Sequence, residues 1–301
     1  MSDQPVLRLV AIAGSAPGTV RLDGAEMPSV TAALEKARHG SVVEVGRGRY
    51  GAGTEAFPLR IPAGVRLRGP APPDLPREAR KHLPTPRPAE LVAEGPVIEA
   101  VGSDVTIEHV HLRSTRPGTG PTLAIGAVQD VVVDTCAVAG AMDVTGVHGL
   151  EVRWTTIEHG HLVARRTREV RLVGGGITGT HGADPLIDII GGTATRIEAM
   201  ALTGAVVGVV ADGCDDLAVS GCAVLADDTA VHAEGSRRVG VRGNRLRARR
   251  AVHLIGCVDG VIAANGVEWA DVAFTLEDSP GSTVEANHVR EARVETATGP
   301  G

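Results

Sequence analysis

The chain has 301 residues, 43% hydrophobic and 22% charged, with 39 glycines, 18 prolines and an aromatic complement of two Trp, one Tyr and two Phe. A core of this size without aromatic anchors has to be filled by Val, Leu, Ile and Ala, which suits thin stacked strands better than a globule. Thirty-six acids against 30 Lys and Arg leave a net charge of −6, a field that repels phosphate backbones and argues against nucleic acid as a partner.

At the N-terminus, Asp3 stands where a secretion signal needs cations and Arg8 interrupts a short apolar run. No stretch reaches about 18 uninterrupted apolar residues, so no membrane span and a cytoplasmic location are expected. Ser29–His39, SVTAALEKARH, reads as a helix. Ser29 caps it, Val30, Ala33, Leu34 and Ala37 form its apolar stripe, and Gly40 stops it. Such a helix would cover the open end of a strand stack, whose unpaired edge otherwise recruits other chains.

The segment that follows carries Gly40, Val43, Val45, Gly48, Tyr50, Glu55, Phe57, Pro58, Leu59, Pro62, Gly64, Val65, Leu67 and Gly69. In that order these residues resemble the DUF1565-type opening of pectin-lyase-like repeat proteins. The resemblance implies a β-helix cap; it transfers fold, not activity. Residues 1–69 are therefore taken as the N-terminal cap and first rung. Residues 70–92, rich in proline and charge, form a loop insertion that cannot be a central strand and is either a surface excursion or a lid.

From residue 93 to 294 the chain repeats. An eight-residue phrase starts at Val105, Val131, Leu150, Val170, Thr195, Leu217, Val239, Gly260 and Ser282, with starts 26, 19, 20, 25, 22, 22, 21 and 22 residues apart. Positions 1, 3, 6 and 8 are mostly apolar or small, and a second alternating piece lies eight residues before each start, through Val97, Leu123, Met142, Leu162, Ile187, Val209, Val231, Val252 and Phe274. Period-two alternation marks strands. Two clear strands and a third brief one per rung of about 22 residues describe an all-β chain, a single-stranded right-handed parallel β-helix. Residues 295–301 are taken as a flexible tail, and the C-terminal edge as a place for a homo-oligomer or protein partner.

Position 6 holds Asn244, Asn265 and Asn287 in the last three copies. At strand spacing they stack about 4.8 Å apart, and inward asparagines at a bend can satisfy its polar backbone. In the pectate-lyase-like helices this chain resembles, such a ladder lies between the second and third sheets, which implies that the strand through Val231 or Val252 belongs to the first sheet. Cys136 and Cys222 fall four rungs apart, and Cys214 and Cys257 two, both beyond disulfide reach. Four free thiols in a reducing compartment are expected. No spacing marks a zinc site, and no cofactor or metal is assigned.

If the apolar positions of the first sheet point inward, the residues between them form an outward column: Ile98, Ala124, Asp143, Val163, Asp188, Val210, His232, His253 and Thr275. Arg165, Asp212, Glu234 and Glu277 flank it, and preceding loops supply His159, His161, His181, Asp184, Asp227 and Asp228. In polysaccharide lyases and hydrolases of the resembled fold this face is the substrate cleft. Asp143 and Asp188 then stand two rungs apart, about 10 Å, a spacing that lets carboxyls reach the roughly 6.5–9.5 Å of inverting glycosidases. These two aspartates, with His161 and His181, are the candidate catalytic residues. Asp184, Arg165, His232, His253 and Trp269 are the candidate ligand-binding residues.

The run from His181 to Asp188 resembles the Asp-Pro-His-Asp signature of alginate epimerases, with Leu186 where the histidine belongs. His159 and His161 offer a metal site with Asp143 or His181 as the lesser alternative. His232 and His253 share a proton, bind an anion or merely stack. Seven arginines between Arg237 and Arg250 encircle one rung as a solvated belt. With so few aromatics to hold sugar rings, a small or strongly polar saccharide or other polyhydroxyl ligand is favoured over a long glycan. The sequence thus points to an acid/base enzyme of lyase, hydrolase or epimerase type, with a non-catalytic β-helix scaffold as the alternative.

Overall fold

The computed structural model describes residues 18–71, 88–116, 118–182 and 184–292. Most of the Pro-rich insertion, Val294 and the tail lie outside the described residues. The rest is a right-handed parallel β-helix. Each rung contributes one short strand to each of three faces: for example Met142–Thr145 on the first, His148–Arg153 on the second and Thr156–Glu158 on the third. All rung-to-rung pairings from Val105 onward are parallel, as in Leu150↔Val170↔Thr195↔Leu217↔Val239. In two rungs the third and first faces merge into single strands, Ala201–Asp212 and Ala223–Glu234.

Alternation builds the core. Val231, Val241, Leu246, Val252 and Ile262 are fully buried in one continuous apolar column system that runs the length of the coil. The fifth residue of every phrase has left-handed φ, from His109 at 57° to Ala286 at 52°, and this kink swings the chain from the second face to the third with position 6 inward. Asn244 donates through Nδ2 to Asn265 Oδ1 (3.0 Å) and Asn265 to Asn287 Oδ1 (2.9 Å); the same amides take the carbonyls of Val219, Val241 and Ile262. A second ladder, unforeseen in the sequence, lies at the bend from the first face to the second: Ser236 Oγ accepts from the Cys214 backbone N–H and Ser279 Oγ from that of Cys257. All four cysteines are buried and unbridged.

Three features depart from the sequence expectations. The offset of eight fails in the first copy, where Ile98 pairs with Leu123 and is fully buried, so that Glu99, not Ile98, joins the outward column beside Ala124. The turn through Asp104 is one residue tighter there. The insertion also ends early, since Ala89–Ala93 is already a strand paired to Val110–Ser114. The N-terminal helix spans only Val30–Lys36, with Ser29 Oγ accepting from Ala32 N–H, and its chain turns extended at Ala37.

That helix buries Val30, Ala33 and Leu34 on the first rungs. Beside it an antiparallel hairpin, Val20–Leu22 and Ala25–Met27, covers the edge of the second face by pairing with Val42–Val45. Its Asp23-Gly24 turn, with both φ positive, is the two-residue hairpin signal that a sequence reading would have used to find it.

Candidate functional site

The first face carries the column in the expected order. Asp143 pairs with Val163 and Val163 with Asp188; above them Asp188 pairs with Val210, Val210 with His232, and His232 with His253. Asp143 and Asp188 are thus two strand spacings apart, about 10 Å at the backbone. Val163, 8% exposed, lies between them as an apolar floor.

Asp143 and Asp188 sit in different surroundings. The Asp143 carboxylate accepts from the Arg165 guanidinium at 3.2 Å and from the Thr145 hydroxyl at 3.2 Å. Burial pushes the Asp188 carboxyl above the usual carboxylate range; the positive charges of Arg165 and His161 pull it down, and Asp212 and Asp184 push it up. Desolvation wins, so Asp188 holds its proton to higher pH than an exposed carboxyl.

Beside this column a groove of about 650 Å³ lies at the bend from the third face to the first. Tight bends form its floor, at Ala139–Ala141 and at Glu158–His161. Two longer connections wall it, one represented by Thr115, Gly118, Gly120 and Thr122 and one by Gly179, Thr180, Gly182 and Asp184. Asp143, Val163, Arg165, His159, His161 and Asp184 line it. Gly140 has φ 118°, and a Cβ there would lie 2.3 Å from Thr122 Oγ1; a Cβ on Gly160 would lie 2.0 Å from the Gly140 carbonyl. At these two positions the floor therefore has no room for a side chain.

Two further groove residues, Arg113 and Glu158, escaped the sequence reading. Both lie in regular strands, Val110–Ser114 and Thr156–Glu158, where nothing in the repeat marks them; the walls did leave a signal, since repeats of 26 and 25 residues flank repeats of 19 and 20. A second, shallower hollow of about 300 Å³ on the second face is floored by Ala218 and Gly240. Its rim is committed to the ion pairs Arg196–Asp216 and Arg238–Asp215, which leaves the groove as the candidate.

Not every candidate residue joins the groove: Asp188 stands on the first face one rung beyond Val163 and is not among the side chains that line it. His181 turns away, its Nδ1 3.5 Å from Asp227 Oδ2, and both side chains are exposed. Among the described residues no three His, Cys, Asp or Glu side chains converge as metal ligands, so His159 and His161 do not complete a metal site with Asp143 or His181.

Trp269 stands five strand spacings from the groove bend at Glu158, about 24 Å. The Arg247 guanidinium lies 3.8 Å over its ring. His232 and His253 form their own cluster with ring centroids 5.1 Å apart at 61°. Both occupy outward positions, yet the His253 side chain is only 9% exposed, because its neighbours cover it, and its Nε2 lies 2.9 Å from Glu277 Oε1. Burial, then the charge of His253, lowers the pKa of His232. The arginine belt is ion-paired through Arg238–Asp215, Arg245–Glu268, Arg249–Asp271 and Arg250–Asp228.

Known structures of similar shape are right-handed β-helices. Tailspike protein 3 of bacteriophage CBA120 aligns with a TM-score of 0.54 at 11% identity over 92% of this chain and 58% of its own. The A-module of mannuronan C-5 epimerase AlgE6 from Azotobacter vinelandii aligns with a TM-score of 0.50 at 11% identity over 88% of this chain and 95% of its own. DFA-IIIase from Arthrobacter chlorophenolicus A6, in complex with GF2, aligns with a TM-score of 0.48 at 15% identity over 89% and 79%. At such identities the likeness is one of fold. No protein-family model matches the chain, and no curated protein matches it.

Proposed function

We propose that this protein is a carbohydrate-active enzyme that works by acid/base chemistry on a saccharide or similar polyhydroxyl ligand that lies in the groove and extends over Val163 to Asp188 on the first face. The observation that carries the reading is the unequal aspartate pair: Asp188, raised by burial, stands two rungs from Asp143, which is held by Arg165, over the floor of Val163. A carboxyl that burial keeps protonated, set two rungs from a second carboxylate, offers an acid beside a base. Asp188 is the acid, giving its proton to the leaving oxygen. Asp143 is the base, taking a proton from the attacking water, and the spacing suits inverting hydrolysis, where water must fit between sugar and base. His161 and Asp184 adjust Asp188 through their charges, and Arg165 orients Asp143.

The occurrence of β-helices of similar shape among an epimerase and DFA-IIIase is compatible with this reading. The opening from Gly40 to Gly69 is read as a DUF1565-type cap. A cytoplasmic location is supported by four unbridged thiols, and among the described residues no helix is long and apolar enough to cross a membrane. One observation favours the second reading, a non-catalytic scaffold: the Arg165 ion pair offsets the charge that a base at Asp143 would use.

Turnover of a saccharide panel separates the two. Asp143→Asn and Asp188→Asn should each keep the wild-type circular dichroism, because both side chains lie outside the core, and each should lower turnover by about a hundredfold or more. Full activity in both variants removes the pair from the chemistry.

A further inference from the structure

We infer that the groove accepts short, uncharged saccharides or the free end of a chain, and not the interior of a long or polyanionic glycan. The inference rests on the saccharide reading above and concerns how much of the ligand the same site can hold.

The argument begins with the lengths of the connections from the third face to the first. Ala139 reaches Met142, and Glu158 reaches Leu162, with only two and three residues between the strands. On either side of these bends, Ser114 to Leu123 and Thr178 to Ile187 are each joined by eight residues. The long connections thus rise at both ends of a floor two rungs wide. From Leu123 through Met142 and Leu162 to Ile187 there are three strand spacings, about 14 Å between the centres of the walls.

A polymer running along the coil axis would have to climb both walls. A short saccharide, or the last units of a chain, fits between them. The groove volume of about 650 Å³ falls within the range of small-ligand sites.

Recognition follows from what the groove lacks. Among the described residues no Phe, Tyr or Trp lines it, so a ligand there is held by hydrogen bonds to polar side chains. The fixed charges lining it are Arg113 and Arg165 against Asp143, Glu158 and Asp184. Arg165 is committed to Asp143, and Arg113 lies 3.8 Å from Glu90. Both guanidiniums already face a carboxylate, and the surplus of acid among the lining groups opposes a chain of carboxylates.

The test measures binding by the full chain to neutral cello-, malto- and inulin-type oligosaccharides from monomer to octamer, to their polymers, and to oligogalacturonates of matching length. Titration calorimetry and saturation-transfer NMR give affinity and stoichiometry. Affinity for a neutral series should climb about tenfold from monomer to trimer and change less than about twofold beyond it, with one protein bound per polymer end.

Affinity that climbs with every added unit, or several copies bound along one polymer, overturns the inference while leaving the saccharide reading in place. So does tighter binding of oligogalacturonates than of neutral chains of equal length. Absence of binding by every member overturns the saccharide reading and this inference together.

Discussion

Asp188 and Asp143 occupy one outward column of the first face, joined through the backbone of Val163, yet only Asp143 is bonded to Arg165. Because burial raises the Asp188 pKa, the folded chain keeps a proton that the unfolded chain loses above about pH 3.9. Stability attributable to this group therefore falls as pH rises from there through the folded pKa, and the penalty persists at neutral pH. Asp188→Asn should remove it, raising the urea-unfolding free energy at neutral pH by about 0.5 kcal/mol while turnover drops. A variant less stable than wild type at neutral pH would show that the carboxylate is net favourable where it stands.

His232 gives the opposite slope. Its folded pKa lies below the unfolded value, so acidification charges the unfolded chain first, and stability should decline as pH falls from about 6.5 towards the folded pKa. Denaturant midpoints across that range should flatten in His232→Gln. An unchanged slope in the variant would assign the pH dependence to other groups.

Asn265 is fully buried and uses both ends of its amide, accepting from Asn244 N–H and Nδ2 and donating to Val241 O and Asn287 Oδ1. Asn265→Ala strands several buried polar groups at once and should cost about 3 kcal/mol in chemical unfolding. Asn287, at the last described rung and partly exposed, should cost less than half as much. Equal losses at the two positions would contradict the ladder.

The thiols provide a readout of folding. Burial pushes Cys136 up to about 12 and raises Cys214, Cys222 and Cys257, and only the thiolate reacts. Native protein at neutral pH should resist iodoacetamide, whereas denatured, unreduced protein should yield four alkylated cysteines by mass spectrometry. Fast labelling of the native chain would mean that rungs open locally.

The repeat was legible because each rung satisfies the same demand, apolar side chains inward at every second residue. Val231, Val252 and Asn265 obey it, and their register follows directly. The departures occur where a local contact overrides the period. Ile98 turned inward because the turn at Asp104 is one residue tighter, and the Asp23-Gly24 hairpin precedes the first repeat and so lies outside any periodic pattern.

The site was half legible for a related reason. Column positions such as Asp143, Asp188 and His232 are set by strand register, which sequence encodes. Loop residues are placed by contacts that sequence does not encode: His181 meets Asp227 from a later rung, and Arg247 covers Trp269. The Glu55 carboxylate likewise reaches the Val30 and Thr31 backbone N–H groups across a long separation, tying the cap to the coil through a contact no local pattern announces.

The parallel pairing that joins Asp143 to Val163 and Val163 to Asp188 makes distance in this molecule a counted quantity. Because each rung meets only its neighbours, duplicating the coil that carries Val163 would move the two carboxyls apart by one indivisible step of about 4.8 Å, and deleting it would bring them together by the same step. Intermediate separations are unreachable by any insertion that preserves the stack. Gene-level gain or loss of a single repeat would therefore act on this protein as a gear change, switching the reach between its two aspartates in whole notches while every other rung keeps its shape.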